Sequence, residues 1–407
     1  MKSNRQLDSV LNKQPHTGIL FLFFGLASAI VVAVAPALLK IAFYFQLSTI
    51  AAQKTISIAI LGYAVGPLFA GPIGNSFGRK TAFFIGCLIS LIGLLINLLA
   101  IYWHHFNLFL WGRFISPFGG AICLTMVYAV LHDFYSETDA RKILSFVVAS
   151  FCLVPGIITL ICGVITEYYS WIACFYLLLI YVVLLFVCLY FLPETHAKEN
   201  RTPPKLKHHF NEYRKEIFNP LFMCFAVLVG FAISLLYVYV AQSPVIALSD
   251  LNISAASFGY ISLVPYLAAV VALILTGKLS AKYSAENFIR FGLWMGSLAS
   301  LLMLFLFFTQ GANLYSLFIL SSLVVAGCML VNVNAVAIAK RYANNRGTSS
   351  ALLIFIFMGM SMLFVKLAAW LQIYFHALAY PLVILLLFAL AILNVGIGKY
   401  LIGRKKA

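Results

Sequence analysis

Charged residues are scarce in this chain: they make up 9% of its 407 residues, whereas hydrophobic residues make up 63%. A soluble domain carries about 25% charged and about 45 to 50% apolar residues, so a water-soluble globular fold is excluded. Acidic residues are especially rare, with 11 against 27 lysines and arginines. The formal charge of +16 does not indicate a nucleic-acid partner, because the basic residues lie in short gaps between apolar runs and form no basic face on a polar module.

Sequence signatures of catalysis and of metal binding are absent as well. The eight cysteines lie within apolar runs and form no CxxC pair, so they indicate neither a disulfide framework nor a metal site. The chain has no GxxxxGKS/T nucleotide-binding loop, so an ATP-driven pump would need a separate subunit. A receptor is disfavoured because the chain has no sizeable soluble output domain. We expect no metal, no bound cofactor and no enzymatic activity.

Long apolar runs account for most of the chain. Each is long enough to cross about 30 Å of hydrocarbon as a helix, and barrel strands are disfavoured because segments such as 177–189 are apolar on nearly every face. The sequence therefore predicts an all-α integral membrane protein with twelve transmembrane helices. The runs are 18–45, 52–74, 81–103, 107–131, 143–166, 170–192, 219–247, 255–277, 287–309, 313–338, 349–375 and 379–401.

The basic residues fall on one side of this predicted membrane protein. All of the 27 lysines and arginines lie in tails or gaps on that side, except Lys40, Lys54, Arg113 and Lys366. Positive segments beside membrane spans are retained in the cytoplasm, so both termini are predicted to be cytoplasmic. We refer to this face as the basic side and to the other face as the opposite side.

The longest polar interval divides the spans six and six. It is rich in basic residues and contains Pro203-Pro204, which favours a solvated linker with at most a short surface helix. The predicted units are a six-helix bundle at residues 1–192, a cytoplasmic linker at 193–218 and a second six-helix bundle at 219–407. Two bundles that rock around a site near the membrane midplane are typical of secondary transporters.

Short motifs in the first half of the chain carry a more specific signal. They resemble the motifs of the major facilitator superfamily, in particular the drug-efflux branch typified by the Bcr/CflA family, and Leu192-Pro193-Glu194-Thr195 and Ser243-Pro244 support the resemblance. The resemblance implies the major facilitator fold and transport by alternating access. The motif residues are Gly71, Gly74, Asn75, Gly78, Arg79 and Lys80 at and after the end of the second run, Arg113 in the fourth run and Asp133 just after it, and Pro155, Gly156 and Gly163 in the fifth.

The resemblance implies that the loop after the second run acts as a gate, in which a basic residue, Arg79 or Lys80, pairs with Asp133. The alternative role for Arg79 and its neighbour Lys80 is to anchor the topology. Three positions depart from the family pattern. Asn75 stands where the loop normally carries an aspartate and brings no charge to a helix dipole, Ser76 stands where a basic residue normally follows, and Val32 occupies the position of an acid usually found in helix 1.

Acidic residues are absent from the interiors of the predicted spans. Proton-driven transporters usually need a titratable group that is alternately exposed to the two sides, most often a buried carboxylate. A proton gradient could still drive transport through a group at a span end. The candidates are Asp133, Glu137, Glu167, Asp250, His132 and His376.

Positive residues do lie inside the spans. Arg113, Lys366 and Lys40 each need a partner, a water-filled cavity or a route along which the side chain reaches the interface, and Lys40 is placed to reach the opposite side. Read together, they suggest a positively charged cavity and therefore an anionic or zwitterionic solute. Tyr237 and Tyr239 could line this cavity with Asn332 and Asn334, or the asparagines could bond neighbouring helices.

The sequence therefore predicts a secondary transporter of a small organic solute, and the resemblance favours efflux of the Bcr/CflA type. The alternative is uptake or exchange of an anionic metabolite or siderophore-like carboxylate without a proton carrier in helix 1. The expected location is the bacterial inner membrane. The expected partners are a small-molecule substrate and the lipid bilayer, with the protein working as a monomer.

Overall fold

The computed structural model describes residues 15–135, 137–196, 199, 201 and 206–406, and every regular element in these ranges is a helix. The helices form two bundles of six around a common interface, so the predicted fold class is confirmed. The helices are α1 Thr17–Val32, α2 Leu38–Tyr44, α3 Thr49–Ala52, α4 Lys54–Phe77, α5 Arg79–Tyr102, α6 Phe106–Phe134, α7 Glu137–Tyr168, α8 Ala173–Tyr190, α9 Leu206–Ile217, α10 Pro220–Val245, α11 Ala255–Leu279, α12 Ala285–Gln310, α13 Leu314–Tyr342, α14 Arg346–Phe375 and α15 Ala379–Lys406.

Ten stretches of the described chain are long and apolar enough to cross a membrane. One of them, 347–403, contains both α14 and α15, which are separated by a short turn at His376–Leu378. The broken pair α1 and α2 supplies one further span. When 347–403 is counted as two spans and the span of α1 and α2 is added, the total is twelve, the number that the apolar runs predict.

Polar side chains set the starts of several of these helices. Ser254, Ser284, Asn313 and Asn345 each accept a hydrogen bond from a backbone N–H in the first turn of the helix that follows. The first N–H groups of a helix have no partner within the helix, so these caps stabilise the ends where the chain re-enters the membrane. The span boundaries therefore follow from short polar residues between apolar runs.

The first predicted span is broken. A turn that contains Pro36 separates α1 from α2, because proline has no N–H to continue the helical hydrogen bonds. Within the turn, Ala35 N donates to the carbonyl of Val32 at 2.9 Å, three residues earlier instead of four. The carbonyls of Ile30 and Val31 therefore lose their usual helical donors.

Burial distinguishes the central helices from the peripheral ones. The most apolar window of α10 is 83% buried within the protein and that of α6 and of α13 is 72% buried, whereas the windows of α8 and α12 are 39% buried. The window of α11 is also 39% buried, although one side of α11 packs on α7. A helix that is apolar all round is stable only where protein or lipid covers it. The central helices therefore line the interface between the bundles, and α8 and α12 present their exposed faces to lipid.

The predicted short surface helix in the linker is α9, which precedes α10 by two residues, Phe218 and Asn219. In the rest of the linker, residues 197–198, 200 and 202–205 lie outside the described residues.

Candidate functional site

A small cavity with room for about one water molecule lies between the two bundles, so a solute would enter only when the bundles separate. Four helices, α1, α7, α10 and α11, contribute to its wall, which contains aromatic and aliphatic side chains and, in the described part of the chain, no charged residue. Its polar groups are hydroxyls. The lining residues are Ser28, Val32, Phe151, Pro155, Leu236, Tyr237, Val240 and Tyr266.

Several buried polar groups near this cavity have no hydrogen-bond partner among the described residues. They include the hydroxyls of Tyr63 and Tyr239. Tyr63 lies near Tyr237, and the ring centroids of Tyr239 and Tyr266 are 6.2 Å apart. A buried polar group without a partner costs about 1 to 3 kcal/mol, so a bound solute that hydrogen-bonds these groups would be stabilised.

Arg113 is fully buried in α6 and holds the broken first span in place. Its Nη1 donates to the carbonyl of Ile30 at 2.7 Å, its Nη2 to the carbonyl of Val31 at 3.0 Å and its Nε to the carbonyl of Thr55 at 3.3 Å. The first two carbonyls lie at the C-terminal end of α1, where the helix dipole is negative. The guanidinium is therefore stabilised by backbone carbonyls and needs no carboxylate at Val32.

The other two cations that the sequence places inside spans lie away from the cavity. Lys40 is exposed near the opposite side, and its Nζ donates to the carbonyl of Thr166 at the end of α7. Lys366 is exposed on the outer surface of α14, on the same helix face as Trp370 and Tyr374. The structure does not bring Arg113, Lys366 and Lys40 together, so the expected positively charged cavity is not formed.

The four polar candidates on α10 and α13 are placed differently from one another. Tyr237 lines the cavity, and Tyr239 is buried with its ring next to that of Tyr266. Asn334 is buried, but its Nδ2 donates to a carbonyl of its own helix, and Asn332 is half-buried. Tyr237 therefore belongs to the candidate solute site, Tyr239 lies next to it against Tyr266, and Asn334 serves α13 itself.

A partly buried ion pair joins the loop between α4 and α5 to the end of α6 on the basic side. Arg79 Nε donates to Oδ2 of Asp133 at 2.8 Å, and Arg79 Nη1 donates to Oδ1 of Asn75 at 2.8 Å. Arg79 is buried, and the Asp133 side chain is 24% exposed. The structure thus pairs Arg79 with Asp133, as the resemblance implies for this loop. Asn75 accepts a hydrogen bond from the Arg79 guanidinium and not from a helix end.

Glu194 fixes the same loop from the linker side. Its carboxylate accepts hydrogen bonds from the backbone N–H of Arg79 at 2.8 Å and of Lys80 at 3.3 Å, which are the first two residues of α5. Arg201 also lies 3.5 Å from this carboxylate. A negative charge at a helix N-terminus is stabilising, so Glu194 caps α5. The sequence singled out this residue only as part of a signature, because nothing local to it points to a helix more than a hundred residues earlier.

The glycines at the end of α4 and in the loop differ in how much space surrounds them. Gly78 has a positive φ of 96°, and a Cβ there would lie 2.4 Å from a carboxylate oxygen of Glu194. A Cβ at Gly74 would lie 2.6 Å from the sulfur of Met126, whereas Gly71 has open space around it. Only Gly74 and Gly78 are therefore required by close contacts, and a larger residue would fit at Gly71.

The motif in α7 brings the two bundles close together. A Cβ at Gly163 would lie 2.5 Å from the carbonyl of Ala255 and 2.9 Å from the Cα of Gly259 in α11, and one at Gly156 would touch Tyr266. Pro155 itself lines the cavity. The small residues of the motif therefore allow α7 and α11 to pack backbone to backbone across the interface.

Polar contacts close the opposite side of the interface. Gln53, at the start of α4, donates through Nε2 to Oε1 of Gln372 at 3.1 Å and to the carbonyl of Ala241 at 3.3 Å. Glu167, at the end of α7, accepts from the backbone N–H of Ala255 at 3.0 Å. These contacts join the first bundle to the second. Gln53 was not predicted, because its position between the short helix α3 and the long helix α4 resembles an ordinary helix end.

The basic side of the interface carries a cross-bundle contact of its own. The Nζ of Lys340 in α13 lies 4.7 Å from the ring centroid of Tyr128 in α6. Such a cation–π contact is worth about 0.5 to 2 kcal/mol, depending on how far it is desolvated. The cavity is therefore flanked by contacts between the bundles on both sides.

The carboxylates of the described residues lie at the ends of the spans. Asp133 and Glu194 hold the loop on the basic side, and Glu167 lies on the opposite side. Asp250 and His376 are exposed, and the side chains of the other two proton-carrier candidates, Glu137 and His132, lie outside the described residues.

Replacing Glu194 with glutamine is expected to destabilise the protein by about 1 kcal/mol, because α5 loses a charged cap and Arg201 loses its partner. Thermal unfolding in detergent measures the change. The matched control is Glu286→Gln in α12, where the side chain is exposed and its pair with Arg290 contributes little. Equal stability of the two variants would show that Glu194 does not fix the loop.

Comparisons with known proteins agree with this architecture. The Major Facilitator Superfamily family model matches residues 17–365. The bicyclomycin resistance protein homolog of Haemophilus influenzae is 28% identical over 293 residues, which are 70% of this chain and 72% of the relative. The multidrug resistance protein MdtL of Shewanella sp. is 26% identical over 263 residues, which are 63% of this chain and 64% of the relative.

The structure is similar to solved sugar transporters. The crystal structure of a D-xylose-proton symporter matches with a TM-score of 0.68 and 15% identity over 92% of this chain and 95% of the other. A partially occluded, inward-open form of the xylose transporter XylE from E. coli matches with a TM-score of 0.71 and 16% identity over 95% and 97%. At this identity the likeness concerns the fold alone.

Proposed function

Because the chain belongs to the major facilitator superfamily and is a multi-pass membrane transporter, we propose that it moves an uncharged small organic solute by alternating access. The observation that carries this proposal is the central cavity, whose described lining has no charged residue. Burying an unpaired charge costs several kcal/mol, whereas aromatic and aliphatic walls favour an apolar solute. The unpartnered hydroxyls of Tyr63 and Tyr239 add hydrogen-bonding positions for its polar groups.

The direction that we propose is efflux. Support comes from relatives that are named for resistance to bicyclomycin and to multiple drugs. The alternative of an anionic solute depended on a positive cavity, and the structure bonds Arg113 to carbonyls and places Lys366 on the outer surface. Uptake of an anion therefore has no structural support at this cavity.

Alternating access requires that the contacts at the two ends of the interface break in turn. We propose that residues 1–192 and 219–407 move as two bundles around the linker at 193–218. The opposite side opens when Gln53 and Glu167 leave the second bundle, and the basic side opens when Lys340 leaves Tyr128. A driving proton would bind at a span end, at Asp133 or Glu167, because the cavity wall offers no carboxylate.

We further propose that the protein is a monomer in the bacterial inner membrane with both termini in the cytoplasm. The distribution of the basic residues supports this orientation, since they concentrate on the side that carries Arg79.

The proposed direction is testable in bacteria that lack their own efflux pumps. Expression of the chain should lower the accumulation of an uncharged aromatic antibacterial compound and raise the concentration that inhibits growth. The control is Gly163→Leu, in which a side chain would collide with the Ala255 carbonyl and prevent the opposite side from closing. Higher accumulation with the natural chain than with the control would indicate uptake and overturn the proposal.

Replacing Tyr239 with phenylalanine removes one of the unpartnered hydroxyls without changing the ring. The KM for a solute with hydrogen-bonding groups should rise about fivefold to tenfold, which corresponds to one hydrogen bond of about 1 to 1.4 kcal/mol. Transport kinetics in proteoliposomes measure the change. Tyr260→Phe, on an exposed face of α11, is the control and should leave KM unchanged.

A second solute of similar shape but without polar groups distinguishes a hydrogen bond from Tyr239 to the solute from an effect of Tyr239 on packing. Its KM should be the same in the natural chain and in Tyr239→Phe, because no hydrogen bond is lost. An equal rise for both solutes would show that Tyr239 acts through packing and does not bind the solute directly.

A further inference from the structure

The linker helix α9 is fixed to the second bundle by two acidic residues on one face. Glu216 is 1% exposed and accepts hydrogen bonds from the backbone N–H groups of Asn344 and Asn345, both at 2.7 Å. Glu212, one helical turn earlier, accepts from Nδ2 of Asn345 and from the hydroxyl of Thr348, both at 3.1 Å. These residues form the start of α14, so α9 is bonded to the turn between α13 and α14 on the basic side.

The same helix contacts the first bundle through Tyr213. Its hydroxyl donates to the carbonyl of Leu68 in α4 at 3.2 Å. Burial raises the pKa of Tyr213 to about 12, and the neighbouring Glu212 adds to the increase, so the hydroxyl keeps its proton at physiological pH. One short helix is therefore bonded to both bundles on the side where the Arg79–Asp133 pair lies.

The remaining face of α9 and the residue that follows it combine positive charge with exposed apolar surface. Arg214 and Lys215 are exposed, Ile217 is 46% exposed and Phe218 is 74% exposed. The Arg214 guanidinium lies 5.8 Å from the centroid of the Phe218 ring. In a helix, Arg214 points away from the face that carries Glu212 and Glu216, so this basic and apolar surface is not used in the contacts with α14.

The position of this surface along the chain fixes its depth. Asn219 caps α10, and α10 starts at Pro220 and crosses the membrane. Phe218 therefore lies where the chain leaves water, at the level of the lipid headgroups. Aromatic side chains favour this level, and basic residues next to a span attract anionic lipids with about 1 kcal/mol per residue.

We propose that α9 binds anionic phospholipid headgroups of the adjacent leaflet through Arg214 and Lys215, with Phe218 inserted among the lipids. The bound lipid holds α9 in the position in which Tyr213 reaches α4, and so favours the form that is closed on the basic side. The effect on the transport cycle rests on the proposed function, whereas lipid binding itself does not.

The test uses the full chain in vesicles of phosphatidylcholine with and without about one third phosphatidylglycerol. The variant is Arg214→Gln with Lys215→Gln. The control is Lys278→Gln with Lys282→Gln, which removes the same charge from two exposed lysines, one in the last turn of α11 and one in the turn that follows. All four side chains are exposed, so both variants are expected to fold.

Native mass spectrometry gives the direct measurement of lipid binding. The natural chain and the control should retain at least about threefold more phosphatidylglycerol than phosphatidylcholine, and the Arg214 and Lys215 variant should show no preference. Equal retention by both double variants, or no preference in the natural chain, would overturn the proposal. This readout does not require a known solute.

Counterflow in the same vesicles tests the coupling to transport. The exchange rate of the natural chain and of the control should change at least about twofold when phosphatidylglycerol is added, and that of the Arg214 and Lys215 variant should not change. Selective lipid retention without this change would overturn the coupling and leave lipid binding intact. An absence of exchange for every solute in every vesicle would instead count against the proposed function.

Discussion

Replacing Arg113 with methionine is expected to abolish transport and to destabilise the folded protein. The change removes the donors to three buried carbonyls, those of Ile30, Val31 and Thr55. Each unpaired buried carbonyl costs about 1 to 3 kcal/mol, and the turn at Pro36 leaves Ile30 and Val31 no backbone donor to replace the guanidinium. Transport rate in proteoliposomes and thermal unfolding in detergent measure the two effects.

The control for this prediction is Lys366→Met, which removes a cation from the interior of another span. Lys366 is exposed on the outer surface of α14, so its loss should change neither transport nor stability appreciably. Arg113→Lys should fall between the natural chain and the methionine variant, because a compact ammonium cannot reproduce the fork of the guanidinium. Similar activity of the Arg113→Met and Lys366→Met variants would contradict the assigned role of Arg113.

Loss of the Arg79–Asp133 pair is expected to slow transport about tenfold or more. Arg79→Ala and Asp133→Ala each remove one half of a 2.8 Å ion pair that is mostly buried on the basic side. The two groups act as a unit, so the double variant should transport no more slowly than the slower single variant. Initial rates of counterflow for the four proteins provide the double-mutant cycle.

The exposed pair between Glu286 and Arg290 supplies the matched control cycle. Its side chains are 65% and 57% exposed, and solvent screens their attraction. Alanine at either residue, or at both, should leave the transport rate unchanged. Fully additive losses in the Arg79 and Asp133 cycle would show that the two residues act separately, for example as topology anchors, and would exclude a gate formed by their pair.

The number of spans could be predicted from the sequence because the apolar runs are long and separated by polar residues that cap helices. The break after α1 could be predicted from Pro36, but the hydrogen bonds that the break makes possible could not. Two carbonyls of α1 become acceptors for Arg113, which lies more than eighty residues later, and this contact depends on how α1, α4 and α6 pack. A sequence pattern contains no record of such a distant hydrogen bond.

The interpretation of the three interior cations failed for a simpler reason. Depth within a span does not determine which way a side chain points, and Lys366 shares its helix face with the exposed Trp370 and Tyr374. That spacing of four residues was present in the sequence and favours a surface exposed to lipid. The spacing of residues along a helix does not single out Gln53 or Tyr63, because the role of each depends on its contacts with the second bundle.

The central claim is that an uncharged solute crosses through a cavity without charged groups in its wall. Counterflow in proteoliposomes with three solutes of equal size and shape, an uncharged aromatic amide, its cationic amine analogue and its anionic carboxylate analogue, tests this claim most directly. We expect the amide to exchange at least about tenfold faster than either charged analogue, because a buried unpaired charge costs several kcal/mol. Exchange of the cation or of the anion as fast as the amide would contradict the assignment of the cavity.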